Sequence, residues 1–116
     1  MKDQQTTVSQ LKDMVQNFVD QRDWKQFHNP KNLSMSIAIE AAELMEHFQW
    51  LRTEELEALK SDETVMADVR EELADIFCYT LSFATTMGID LADALAGKMK
   101  KNALKYPADR FKGRFK

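Results

Sequence analysis

The sequence predicts an all-α protein built from four long helices. Only three Gly and two Pro occur among the 116 residues, so few positions force a helix to end. Apolar residues recur every three or four positions in four segments, and no segment alternates between apolar and polar residues as a strand does. Four such helices with short connections favour a four-helix-bundle-like arrangement in one domain, residues 1–116.

The composition indicates a soluble protein of a reducing compartment. The chain is 44% hydrophobic and 30% charged, which is ordinary for a globular domain. Its net charge of -3 gives no reason to expect nucleic acid as a partner. No apolar run approaches the ~20 residues that span a bilayer, so we expect no membrane contact. The single Cys78 excludes an internal disulfide. Cytoplasmic location is the resulting expectation.

The first helix and the loop after it have clear signals. Thr7 and Gln10 fit a capping box that starts a helix over residues 8–22. Residues 24–28 then place two aromatic side chains and His28 just before Pro30. A loop of this composition is either a binding element or a cover over the helix end, and the sequence leaves both interpretations open.

The central helix is predicted over residues 33–51, with Asn32 or Ser34 as its cap. Its apolar positions form a seam that should face a core, and helical spacing puts four side chains on a stripe beside that seam: Glu40, Glu43, His47 and Trp50. Carboxylates at the border of an apolar seam cost free energy unless a cation pairs with them.

A second acidic pair has the same relation to its own seam. We expect a helix over residues 63–87 that begins at Ser61 or Asp62 and ends at Gly88. It carries Glu72 and Asp75 three residues apart, as Glu40 and Glu43 are on the central helix. Antiparallel packing of the two seams would bring the four carboxylates together.

Four converging carboxylates need cations, and oxygen ligands suit Mg²⁺ or Mn²⁺. The alternative is that the acids only lie beside the apolar seam, where they are solvated or pair with basic side chains. A di-iron site is disfavoured because neither long helix contains Glu-x-x-His.

The C-terminal part offers cations and an amide. After a short helix over residues 54–60, Asp90 should cap a last helix that runs to about Tyr106 and stops at Pro107. Lys98, Asn102 and Tyr106 recur every four residues. The lysine and the tyrosine hydroxyl could contact phosphate oxygens, and the asparagine amide could contact a base edge. A solvated Lys-rich helix end is the alternative. The basic tail, residues 108–116, should be flexible.

These motifs resemble a known family. Glu40-x-x-Glu43, then 28 residues, then Glu72-x-x-Asp75 is similar to the signature of the MazG-like all-α nucleoside triphosphate pyrophosphatases. The segments around these acids resemble the dCTP pyrophosphatase branch of that family. They are residues 22–28, Pro30, Asn32, Leu33, residues 48–50, residues 71–75, Tyr79 and residues 98–107. The resemblance covers about residues 8–108.

The resemblance implies a MazG/dimeric-dUTPase type of architecture and an activity. The family hydrolyses nucleoside triphosphates to the monophosphate and pyrophosphate with Mg²⁺ and so cleans the nucleotide pool. A dNTP, with dCTP or a related or modified dNTP favoured, would be the substrate. Relatives form dimers or tetramers whose sites are completed across the subunit interface, so we expect a homo-oligomer, with a tetramer favoured over a dimer.

The resemblance also implies roles for individual residues. Glu40, Glu43, Glu72 and Asp75 would hold the metal, and Glu43 or Glu72 would act as the catalytic base. The substrate would contact ten residues: Trp24, Lys25, Gln26, Phe27, His28, Trp50, Tyr79, Lys98, Asn102 and Tyr106.

One departure and two rival functions bear on these expectations. Val15 stands where the dCTP branch is expected to have His, so the substrate range could extend beyond cytosine nucleotides. One rival is a non-catalytic helical oligomerisation or interaction module, with the acids as surface decoration. The other is a metal-dependent phosphohydrolase that releases orthophosphate.

Overall fold

The computed structural model describes all residues, Met1–Lys116, and confirms the prediction of an all-α protein. No strand is present. The five α-helices are α1 (Val8–Gln21), α2 (Pro30–Glu46), α3 (Glu63–Met87), α4 (Leu91–Lys105) and the single turn α5 (Ala108–Phe111). Short 3₁₀ helices cover Asp3–Gln5, Lys25–Phe27, Thr53–Glu55 and Glu57–Ser61. No helix is both long and apolar enough to cross a membrane.

Several helix ends lie where local chemistry predicts them. The Thr7 side chain accepts from the Gln10 amide and the Gln10 side chain accepts from the Thr7 amide, which completes the capping box of α1. The Asp62 side chain caps α3 and the Asp90 side chain caps α4. Gly88 ends α3 with φ 66°, a left-handed conformation that costs glycine little.

The predicted bounds of the central helix were wrong at both ends. Asn29, not Asn32 or Ser34, caps α2: its side-chain oxygen accepts from the Asn32 amide at 2.8 Å. Pro30 is then the first helical residue, a position where its missing N–H would have had no partner. At the other end α2 stops at Glu46, because the next amides bond to carbonyls three residues back, as Phe48 does to Met45 at 3.0 Å. The helix predicted over residues 54–60 is instead the two short 3₁₀ helices.

Helices α2 and α3 form the main packed pair. Glu40 lies near Glu72, and His28 lines a cavity together with Ser82, so α2 runs antiparallel to α3. Helix α1 packs on α3 as well. The buried residues cluster towards the C-terminal end of α3, where all three helices meet: Val19, Leu33, Leu81, Ser82 and Ala84.

The single chain leaves much of its apolar surface uncovered. Only five of 116 residues are buried, and the radius of gyration is 17.3 Å, against about 13 Å for a compact domain of this length. Helix α4 extends from α3 without packing extensively on any other helix of the chain. Three of the four long helices therefore share a core, and the fourth carries exposed apolar residues such as Leu95 and Met99.

Candidate metal centre

Three of the four predicted carboxylates meet where α2 and α3 cross. Glu40 and Glu43 are neighbours on one face of α2 because residues three apart in a helix stand one turn above each other. Glu72 faces them from α3. One carboxylate oxygen from each of the three residues lies within 4.8 Å of the other two. The antiparallel packing of the two seams produces this meeting.

Asp75 lies one helical turn beyond Glu72 and outside this group of three. Its charge nevertheless acts on the group, since it contributes to the raised pKa of Glu40. Its side chain is exposed. Asp75 therefore lies at the exposed edge of the acidic cluster. Neither His28 nor His47 belongs to the group of three.

The acidic cluster has no cationic partner within the chain. Oε2 of Glu40 and Oε2 of Glu72 are buried and accept no hydrogen bond. The ion pairs of the chain lie elsewhere, around Arg52 and Lys60. A buried carboxylate without a cation or donor is costly, so a positive charge is what this arrangement needs.

The titration of these groups reflects the same crowding. A hydrogen bond that its protonated form shares with Glu43, together with burial and the charges of Glu43 and Asp75, raises the pKa of Glu40 to about 7. Burial, reinforced by Glu43, raises the pKa of Glu72 above its usual range. The pKa of the Tyr79 hydroxyl is also raised, by burial and then by the charge of Glu40, so Tyr79 lies within electrostatic range of the cluster.

A divalent cation fits these residues. It would supply partners for the two buried oxygens and would neutralise the mutual repulsion of the carboxylates. The donors are all carboxylate oxygens, the ligands of hard cations, and no thiolate or imidazole takes part.

The raised pKa values predict how metal-free protein responds to pH. Folded Glu40 keeps a proton up to about pH 7, whereas its ordinary pKa is 4.5, so between these values the folded state binds more protons than the unfolded state. Stability therefore falls as pH rises through this window. Mg²⁺ added at pH 8 should restore it, because the cation binds the carboxylate that has lost its proton. Thermal unfolding with EDTA at pH 5.5 and 8, then with Mg²⁺, measures this.

The control for that experiment is Glu40→Gln, which removes the titrating group. This variant should lose less stability than wild type between pH 5.5 and pH 8 and should gain less from Mg²⁺. An equal pH response in both proteins would contradict the assignment of the proton to Glu40.

The loop over residues 24–28 lies far from the acidic cluster of its own chain. Lys25 and His28 line a cavity with Ser82 and Thr85, near the C-terminal end of α3. Ser82 is ten residues beyond Glu72, which corresponds to about 15 Å along the helix. Trp24 packs edge-on against Phe18 at 5.8 Å, so here it does cover the end of α1. Gln26 and Phe27 belong to the exposed 3₁₀ turn between Trp24 and His28.

The other predicted substrate contacts are also separated within one chain. Trp50 is 86% exposed in the turn after α2, and its predicted place on the helical stripe was wrong because α2 ends at Glu46. Lys98, Asn102 and Tyr106 lie on and just after α4, which packs little on the rest of the chain. Of the predicted substrate contacts, Tyr79 is the one whose pKa responds to the charges of the carboxylates.

The polar cavity beside the loop contains residues that the seam analysis did not single out. Ser82 and Thr86 follow Tyr79 at spacings of three and four, so they continue the face that Tyr79 occupies. Extending the acidic stripe of α3 by this spacing would have found them. Their hydroxyls, with Lys25 and His28, make this recess suited to polar ligands.

An all-α chain with an acidic cluster on two antiparallel helices has the arrangement expected of a helical protein that binds a divalent cation. Comparison with known proteins narrows the class. The profile of the MazG-like family matches residues 35–116, which include all four carboxylates. The chain therefore belongs to the MazG-like family, as its motifs predicted.

Two curated relatives and one solved structure are similar over most of the chain. dCTP pyrophosphatase 1 of Bos taurus is 35% identical over 107 residues, covering 92% of this chain and 63% of the relative. The Homo sapiens protein of that name is 34% identical over 102 residues, covering 88% and 60%. This chain thus spans less than two thirds of their length. The crystal structure of a pyrophosphatase from Archaeoglobus fulgidus matches with a TM-score of 0.75 and 43% identity, over 82% of this chain and 87% of that one.

Proposed function

We propose that the protein is an Mg²⁺-dependent nucleoside triphosphate pyrophosphohydrolase that converts a dNTP to the dNMP and pyrophosphate. The observation that carries the proposal is the set of three crowded carboxylates with two buried, unpartnered oxygens. Its similarity to proteins named dCTP pyrophosphatase supports dCTP, or a related or modified dNTP, as substrate. Removal of such nucleotides would be a house-cleaning task in the cytoplasm.

The metal ligands in this proposal are Glu40, Glu43, Glu72 and Asp75, with Mn²⁺ as an alternative to Mg²⁺. Bound metal would neutralise charge on the triphosphate as a phosphorus–oxygen bond breaks. Glu43 or Glu72 orients the attacking water and takes its proton. The water oxygen joins phosphorus as the bond to the leaving phosphate oxygen breaks. Hydrolysis in ¹⁸O-labelled water distinguishes attack at the α phosphorus, which labels the monophosphate, from attack at the β phosphorus, which labels pyrophosphate.

The substrate-binding residues are Trp24, Lys25, Gln26, Phe27, His28, Trp50, Tyr79, Lys98, Asn102 and Tyr106. Tyr79 beside the carboxylates would hold the nucleotide near the metal, and Trp50 offers its exposed ring as a wall for the base. Lys98 would pair with phosphate oxygens. Because one chain keeps these groups apart, we propose that a second copy completes the pocket.

The same proposal therefore includes a homo-oligomer, with a tetramer favoured and a dimer as the alternative. The open protomer, with few buried residues, supports it, since a chain of this length ordinarily buries a core. Surface at Leu73, Phe77, Leu95 and Met99 would be covered by other copies. Neither nucleic acid nor a membrane is part of this proposal.

A panel of dNTPs with Mg²⁺, assayed for pyrophosphate, tests the function. We expect release of pyrophosphate that stops with EDTA, and turnover of dCTP together with at least one other dNTP, because Val15 replaces the His expected for strict cytosine preference. Orthophosphate as the first product would instead support the phosphohydrolase. No turnover of any nucleotide would support the non-catalytic interaction module.

A further inference from the structure

A single lysine ties the first helix to the turn between α3 and α4. Lys12 Nζ donates to the carbonyl oxygen of Ile89 at 2.6 Å, in a part-buried position 77 residues away in sequence. All other side-chain hydrogen bonds in the structure join residues at most five apart. The bond from Lys12 to Ile89 is therefore the one side-chain-to-backbone hydrogen bond between distant parts of the chain.

In the α3–α4 turn, the carbonyl oxygen of Ile89 accepts no backbone hydrogen bond and needs another donor. Gly88 turns the chain in the left-handed region, and the Ile89 amide donates to Ala84 at 2.8 Å. Asp90 then caps α4 by accepting from the Asp93 amide. A lysine at the C-terminal end of a 25-residue helix is also favoured by the helix dipole.

Helix α4 has little else in its own chain to set its direction. It packs extensively on no other helix, so the turn is its main attachment. Fifteen residues make a helix about 22 Å long, so a rotation of about 10° at the turn moves the far end by about 4 Å. Such a displacement exceeds what precise substrate contacts tolerate.

We propose that Lys12 is a positioning residue: by holding the Ile89 carbonyl it fixes the direction of α4 and so the placement of Lys98, Asn102 and Tyr106. Its role in substrate affinity rests on the proposed function, in which those three residues contact the nucleotide. Its role in fixing the direction of α4 does not rest on the proposed function. Asp13 and Asp90 line the same recess as Lys12.

The direction of α4 is measured without any activity. Spin labels on Asn17→Cys in α1 and Ala103→Cys in α4, in a Cys78→Ser background, report one intrachain distance when labelled subunits are diluted into unlabelled ones. Lys12→Met should broaden or shift the distance distribution, because methionine keeps most of the length of the side chain but loses the donor. Lys12→Arg should restore it. An unchanged distribution in Lys12→Met would overturn the proposal, even if the protein hydrolyses no nucleotide.

The kinetic readout separates positioning from a general loss of stability. Lys12→Met should raise KM for the nucleotide about tenfold while changing kcat less and leaving the half-saturating Mg²⁺ concentration unchanged. Lys12→Arg should recover most of the affinity, and Lys112→Met, in the exposed tail, should behave as wild type. A raised KM with an undisturbed distance would also overturn the proposal. A displaced α4 with unchanged KM would support the role of Lys12 in fixing α4 and overturn its role in substrate affinity.

Discussion

Replacing Glu72 by Gln is expected to abolish Mg²⁺-dependent pyrophosphate release, with a loss of at least about 100-fold, the scale seen when one group that stabilises transition-state charge is removed. Gln keeps the shape of the side chain but cannot carry the negative charge that the buried Oε2 would present to a metal. Helix content, measured by circular dichroism, should stay near wild type. Metal-free Glu72→Gln should be the more stable protein at pH 8, because it has one fewer crowded carboxylate.

The matched control is Glu63→Gln, which removes an exposed acid from the first turn of the same helix. It should retain wild-type turnover and Mg²⁺ dependence. Mg²⁺-dependent turnover that survives in Glu72→Gln would rule out this metal site. Loss of turnover in both variants would instead indicate a general effect of charge on α3.

The acidic cluster was predictable because it depends on short-range geometry. Acids three apart beside an apolar seam fall on one helix face, and seams pack against each other, so the approach of Glu40, Glu43 and Glu72 follows from two local patterns and one packing rule. Asp75 obeys the same spacing but sits a turn further on, where the helices no longer hold it within the group. The metal-binding roles of all four residues stay a prediction.

The helix limits were predictable only where a side chain dictates them. Thr7, Asp62, Gly88 and Asp90 each have a chemistry that starts or stops a helix, and they do so here. The end of α2 at Glu46 has no such signal, since the residues that follow are compatible with a helix and a change to three-residue hydrogen bonding ends it. Trp50 was misplaced for that reason.

The predicted substrate contacts could not be assembled into a pocket from one chain, because these residues do not meet within it. The loop over residues 24–28 lies near the C-terminal end of α3, whereas the acids lie in its middle, and α4 packs little on the rest of the chain. Spacing along a helix specifies which side chains share a face but not which surfaces of two copies meet. The arrangement of copies, which would decide base selection, has no local sequence signal.

The open protomer predicts that Leu73→Lys disrupts the protein through its assembly. Leu73 is 57% exposed and borders an open apolar groove on α3 with Ile76 and Phe77. If a second copy covers this groove, an unpaired ammonium there costs about 3–5 kcal/mol. Sedimentation velocity should show a smaller species than wild type, and the unfolding midpoint should fall by about 10 °C. Lysine is chosen because a new carboxylate next to Glu72 would disturb the metal site.

Phe115→Lys provides the control, since Phe115 is an equally apolar, more exposed residue in the tail. It should leave the sedimentation coefficient and the unfolding midpoint unchanged. A wild-type protein that sediments as a stable 13.5 kDa monomer would refute the assembly. The substrate pocket would then have to form by movement of α4 and the 24–28 loop within one chain. With an oligomer confirmed and Leu73→Lys dissociated, loss of nucleotide turnover despite intact carboxylates would show that copies of the chain complete each other's sites.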